Sequence, residues 1–150
     1  MKLTENFTLE ELYRSAEAER RHLNNVPSAL EIKQLELLAK TVLQPIRNKC
    51  GFPVWVSSGY RSAAVNKAVG GSATSQHCRG QAADIKACKG HTNKELFDCI
   101  KKMVERGEIV VGQLINEYGY SWVHVSLPYT KKNEILDAVK VGGRVTYKRH

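Results

Sequence analysis

The sequence predicts an α+β fold, helices packed on a small, largely antiparallel sheet, and three observations carry that reading. Capping boxes of the form Ser/Thr-x-x-Glu stand at Thr8/Glu11, Ser28/Glu31 and Thr92/Glu95, each marking a helix start. Short runs at 53–57, 82–86, 112–118 and 121–127 carry the strand signature, with a possible edge strand at 144–148. The order is helix, helix, strand, then a mixture closed by a hairpin around Gly119-Tyr120, which suits one sheet covered by helices.

Thr8 opens a short helix, and the first 25 residues, with Arg20, Arg21 and His22, read as an accessory helix beside a catalytic core. Ser28 opens a long helix in which Ile32, Leu35, Ala39, Val42 and Ile46 recur at helical spacing, so one face should lie on the sheet. Pro45 lacks an N–H and clashes with the carbonyl four residues back, so it should bend or end that helix. A short helix from Ser62 to Val69 ends at Gly70-Gly71, glycines that free the loop beyond. Leu96, Ile100, Met103 and Val104 line the helix opened by Thr92, and Gly107 stops it. One hundred and fifty residues with 42% apolar content, and no repeat or linker, predict one domain over residues 1–150.

The chemistry concentrates in Ser75-Gln-His-Cys-Arg-Gly-Gln-Ala-Ala-Asp84 and, forty residues later, Trp122-Val-His124. Together they offer two imidazoles and one carboxylate without a fourth protein ligand, the donor set of a catalytic zinc that keeps one vertex for water. His77 and Asp84 are seven positions apart, which is neither the i, i+4 spacing of a helical pair nor a Cys-x-x-Cys knuckle, so a loop must lead into a strand. Gly80 supplies a turn between them, and Ala82-Ala83-Asp84-Ile85 is small and apolar enough for a buried strand.

With Trp55-Val-Ser-Ser-Gly-Tyr-Arg-Ser62 and the following Asn66 to Gly71 upstream, this Ser-x-His-x-x-Gly-x-Ala-x-Asp segment resembles one family. That family is the zinc D-alanyl-D-alanine carboxypeptidases of the LAS metallopeptidases, a group that also holds L-alanyl-D-glutamate endopeptidases, phage endolysins and the Hedgehog-type fold. The resemblance covers roughly residues 25–128. It implies one Zn²⁺ held by His77, Asp84 and His124, with Arg61 as the cation that meets substrate or transition-state oxygen.

The chain departs from the family at one point. Many members carry their general base three residues before the last histidine, where this sequence has Ser121. Strand geometry supplies a replacement: if Gly119 and Tyr120 form the hairpin loop, Glu117 pairs with Trp122 and Ile115 with His124. Glu117 and His124 then project from one face as diagonal neighbours, and a slip of one residue would turn Glu117 away. Trp122 is a candidate substrate contact. Ser75 is either a hydrogen-bonding partner of the substrate or a cap on its own loop.

Lys and Arg total 23 against 15 Asp and Glu, a net charge of +8, which predicts attraction to polyanions. The basic residues at 14–21, 86–102 and 131–150 form no concentrated tract interleaved with aromatics, so a solvated face is the reading for most, and no specific nucleic-acid site is indicated. No run of 18 apolar residues exists and the first residues are too polar for an export signal, so neither membrane insertion nor secretion by a leader is expected. Cys50, Cys78, Cys88 and Cys99 contain no Cys-x-x-Cys pair and read as thiols, Cys99 in the core. Cys78 adjoins His77, and adjacent residues rarely reach one ion.

The expected activity is therefore a zinc-dependent peptidase cutting peptidoglycan stem peptides beside a D-amino acid, as a D-Ala-D-Ala carboxypeptidase or an L-Ala-D-Glu endopeptidase does. A monomer made in the cytoplasm and acting on the wall after release, as phage lysins do, fits that reading. The carboxylate missing before His124 keeps a non-catalytic, zinc-containing wall-binding module as the alternative. A nucleic-acid binder would instead show affinity falling steeply with salt and indifferent to chelation.

Overall fold

The computed structural model describes residues 1–150 and places one six-stranded sheet against a layer of helices. The helices are α1 (Leu9–Tyr13), α2 (Ala16–Arg21), α3 (Ala29–Leu38), α4 (Gln44–Cys50), α5 (Ala63–Ala68) and α6 (Asn93–Glu105). The strands are β1 (Val54–Ser58), β2 (Ala82–Ala87), β3 (Gln113–Glu117), β4 (Trp122–Ser126), β5 (Glu134–Val141) and β6 (Arg144–Arg149). Across the sheet the order is β1-β2-β4-β3-β5-β6. Every neighbouring pair is antiparallel except β3 and β5, which run parallel.

Alternation along the strands divides the sheet into two unlike faces. Val56, Ala83, Ile85, Leu114, Val123 and Val125 are all buried and join Leu35, Leu38, Val42 and Ile46, together with Leu96, Ile100 and Met103 of α6, in one core. Asp84, Ile115, Glu117, Trp122 and His124 lie on the other face, which lines a cleft. Truncating a core leucine such as Leu35 to alanine should cost about 2–5 kcal/mol, since the helical layer cannot collapse fully into the gap.

All three capping boxes form, at Thr8, Ser28 and Thr92. The helix containing Pro45 does not end there. Its backbone widens to π geometry over Ala39–Leu43 and then continues as α4 to Cys50, where Gly51 caps it at φ +75°. An i→i+5 turn releases the proline from the missing hydrogen bond and from the carbonyl clash, so the helix continues past it.

The first 25 residues, expected as an accessory helix, form two short helices, and Phe7, Leu9 and Leu12 belong to the common core. Asn25 fastens this segment inward: its amide donates to the Tyr13 and Tyr60 carbonyls, while its Oδ1 accepts from Ser62 N at 2.7 Å. A strand absent from the sequence reading, β5, extends the sheet beyond β3. The Gly142-Gly143 loop that joins it to β6, both residues at positive φ, was its available signal.

The β3–β4 turn is wider than a two-residue loop. Tyr118, Gly119 and Tyr120 all have positive φ, and Ser121 N donates to Glu117 O at 2.9 Å. Asn116 holds this turn by accepting from Tyr120 N at 2.6 Å and donating to Asp137 at 3.0 Å. The register is unaffected: Glu117 faces Trp122 and Ile115 faces His124.

Candidate metal centre

Three segments bring His77, Asp84 and His124 together. Ser75 caps a single 3-10 turn, Gln76–Arg79, by accepting from His77 N at 3.2 Å, and Gly80 ends it at φ +70°. A Cβ at Gly80 would lie 2.7 Å from the Glu31 carbonyl, so glycine is required both for the turn and for its approach to α3. Three positions after the turn, β2 begins to pair with β4, and Asp84 lies directly opposite His124.

The segment before α5 wraps His77. Gly59 O receives a hydrogen bond from His77 Nδ1 at 2.7 Å, and Arg61 N donates to His77 O at 3.0 Å. A carbonyl only accepts, so the proton of His77 resides on Nδ1 and the Nε2 lone pair is free to face the cleft. Gly59 is itself wedged against α1, where any Cβ would overlap the Leu12 carbonyl that accepts from Tyr60 N at 2.7 Å.

His77 Nε2 and His124 Nδ1 lie 3.4 Å and 3.0 Å from the same oxygen, Asp84 Oδ1. One donor atom from each residue falls within 4.8 Å of the others, and no cysteine joins the group. Burial pushes the Asp84 carboxyl up, but the adjoining His77 and His124 imidazoles outweigh it and hold the group well below the usual carboxylate range. Two imidazole nitrogens and one ionised oxygen at this spacing fit a tetrahedral divalent ion with its fourth vertex open. The Gly59 contact is the outer hydrogen bond that metal-bound histidines ordinarily have.

The remaining candidates sit around this group. Glu117 is buried and lines the cleft, and its carboxylate makes no hydrogen bond or ion pair. Burial raises its carboxyl above the ordinary value, and neighbouring Asp84 adds to this while His124 opposes it. Arg61 lines the same cleft, donates to Ser75 Oγ at 3.4 Å, and keeps a buried Nε without a partner. Ser75 therefore caps its loop and also touches Arg61. Trp122 also lines the cleft and meets Tyr118 edge to face, with ring centroids 5.4 Å apart.

Sequence reasoning missed Gly59, whose role depends on a contact with α1 that leaves no local signal. It also missed the part played by Tyr118 of the turn, by Lys131 ahead of β5, and by Val145 and Tyr147, which line the cleft from β6, an edge strand the sequence indicated without tying it to the site. His91 and His150 are away from the centre: His91 stacks on Phe52 at 4.2 Å, and His150 packs edge-on to Phe97 and bonds Asp137. The four cysteines are free thiols; Cys99 is half-buried, with its Sγ 2.9 Å from that of Cys50.

A cleft with a three-donor metal group, a desolvated carboxylate and an unpaired guanidinium defines a hydrolase of the metallopeptidase class. The profile of the family described as peptidase M15 matches residues 5–126, and the chain belongs to that family. The match begins well before residue 25, so α1 and α2 fall within it. No curated protein matches the chain. No helix is long and apolar enough to cross a membrane.

Proposed function

We propose that the protein is a zinc-dependent peptidase that hydrolyses peptidoglycan stem peptides at a bond beside a D-amino acid. The observation that carries this reading is the convergence of His77, Asp84 and His124 on one point of a cleft that Glu117 also lines. A bound zinc would supply Lewis acidity toward the scissile carbonyl and make water acidic enough to ionise near neutral pH.

The protein's own groups supply the rest. Glu117, once ionised, accepts a proton from the attacking water and returns it to the departing amine, as base and then as acid. Its burial makes this exchange favourable, because a desolvated carboxylate gains more from binding a proton than a hydrated one. Arg61 presents a planar fork of donors to a substrate carboxylate or to the oxygen that gains charge. Ser75 steadies that guanidinium, and the Gly59 carbonyl keeps His77 in the tautomer that leaves Nε2 free. Trp122 offers a flat apolar surface to the peptide.

The net charge of +8 draws the protein toward an anionic wall. Access to that wall after host-membrane failure, as for a phage lysin, and action as a monomer complete the reading. The experiment is digestion of purified peptidoglycan with and without chelator, reading new amino termini and product masses. Chelator-sensitive release supports the reading, and the masses identify the bond. Ion retention without release would instead favour a wall-binding module.

A further inference from the structure

The C-terminal hairpin, residues 134–149, lies beyond the family match, which ends at 126. It is joined to the sheet through the parallel β3–β5 ladder, and none of the six residues of β6 is buried. A strand without buried side chains adds little to the core, so its position needs another explanation. The cleft provides one: Thr130, Lys131, Val145 and Tyr147 line it together with the metal group.

Register places these residues. Trp122 opposes Glu117, Glu117 opposes Ala138, and Ala138 opposes Tyr147, so the four form one row across β4, β3, β5 and β6. Opposed residues project from the same face, which puts Tyr147 on the side of the sheet that carries Glu117 and His124. Ala138 between them is small and buried, so nothing bulky separates the phenol from Glu117. Val145, two residues earlier on the same face, and Tyr147 are 40% and 55% exposed, an apolar wall open to a ligand. Partial desolvation of its ring and the charge of Glu117 raise the Tyr147 hydroxyl above its ordinary value.

Lys131 adds charge to this wall. It forms no ion pair, and the hairpin beside it also carries Lys140, Arg144, Lys148 and Arg149. Arg61, which precedes α5, is the cleft's other cation without an ion pair. We propose that the hairpin and the loop leading into it give the cleft a second carboxylate-binding subsite, with Lys131 of that loop as its cation and Tyr147 of β6 as the ring that covers the bound peptide. This rests on the peptidase reading and names what that site selects: a peptide with two carboxylates, one read by Arg61 and one by Lys131.

The test uses the stem peptide L-Ala-γ-D-Glu-L-Lys-D-Ala-D-Ala and two analogues, one amidated at the D-Glu α-carboxylate and one at the C-terminus. Affinities are measured by calorimetry on zinc-loaded Glu117→Gln protein, and kcat/KM on protein with Glu117 intact. One carboxylate should confer about a tenfold preference that Lys131→Ala abolishes and Lys131→Arg keeps, a loss of the size expected for one charged partner. Tyr147→Ala should weaken all three peptides alike, with the zinc content unchanged. Tight binding without turnover by the unsubstituted protein would sink the peptidase reading and leave the subsite standing. Equal affinity of the Lys131→Ala and parent proteins for every peptide, or no binding of any, overturns the subsite.

Discussion

Glu117 and His124 are diagonal neighbours on the cleft face of the β3–β4 hairpin, since Glu117 pairs with Trp122 and His124 with Ile115. A carboxylate can thus reach the metal group from the neighbouring strand, although the position three residues before His124 is Ser121.

Replacing Glu117 by glutamine keeps shape and removes the proton acceptor. Turnover should fall about 10²–10⁴-fold, the usual contribution of a positioned base, while zinc content stays at that of the parent protein. Parallel assays of hydrolysis and elemental content check this; an unimpaired rate would assign the base elsewhere.

The same carboxylate has a consequence for stability in metal-free protein. Its native pKa is raised by burial, so the native state holds the proton more tightly than the unfolded chain, whose carboxyl titrates near ~4.3. Stability from this group is present below the unfolded value and is lost as pH rises through the native one. The Tm advantage of Glu117→Gln over the parent should be small at about pH 4 and grow toward neutrality. A difference constant with pH would show that Glu117 is well hydrated.

Substituting His77, Asp84 or His124 singly by alanine should each abolish stoichiometric zinc. Removal of the ion by chelation should lower Tm, since an ion at 100 times its Kd contributes about 2.7 kcal/mol to the native state. Scanning calorimetry with added zinc reads both effects. Recovery of full Tm on zinc addition to an alanine variant would exclude that residue as a ligand.

Gly59→Ala should act on the ion from a distance. Its methyl overlaps the Leu12 carbonyl, and the displaced Gly59 carbonyl is the one that orients His77. Zinc affinity should fall by about 10–100-fold, the range for loss of an outer-shell partner. Competition with a chromophoric chelator measures this, and unchanged affinity would show that His77 is held without Gly59.

The sequence revealed what depends on local chemistry. Thr8, Ser28 and Thr92 cap helices by contacts three residues away, and the ligand set is a matter of residue type and spacing. Even the hairpin register emerged correctly, although the turn was taken as shorter, because alternation along β3 and β4 fixes which residues share a face. What escaped depends on remote partners. β5 pairs in parallel with β3 after a crossover, and its half-buried Glu134–Val141 run shows no clean alternation. The roles of Gly59 and Tyr147 come from packing on α1 and from a row four strands wide, and neither is inscribed in neighbouring residues.

β2 lies beside β4, with β3 on the far side of it. During synthesis, Asp84 is therefore left facing an open edge until a strand forty residues downstream slides in next to it and delivers the second imidazole. A nascent chain ending short of residue 124 has only two of the three donors, so tight capture of the ion marks a finished sheet.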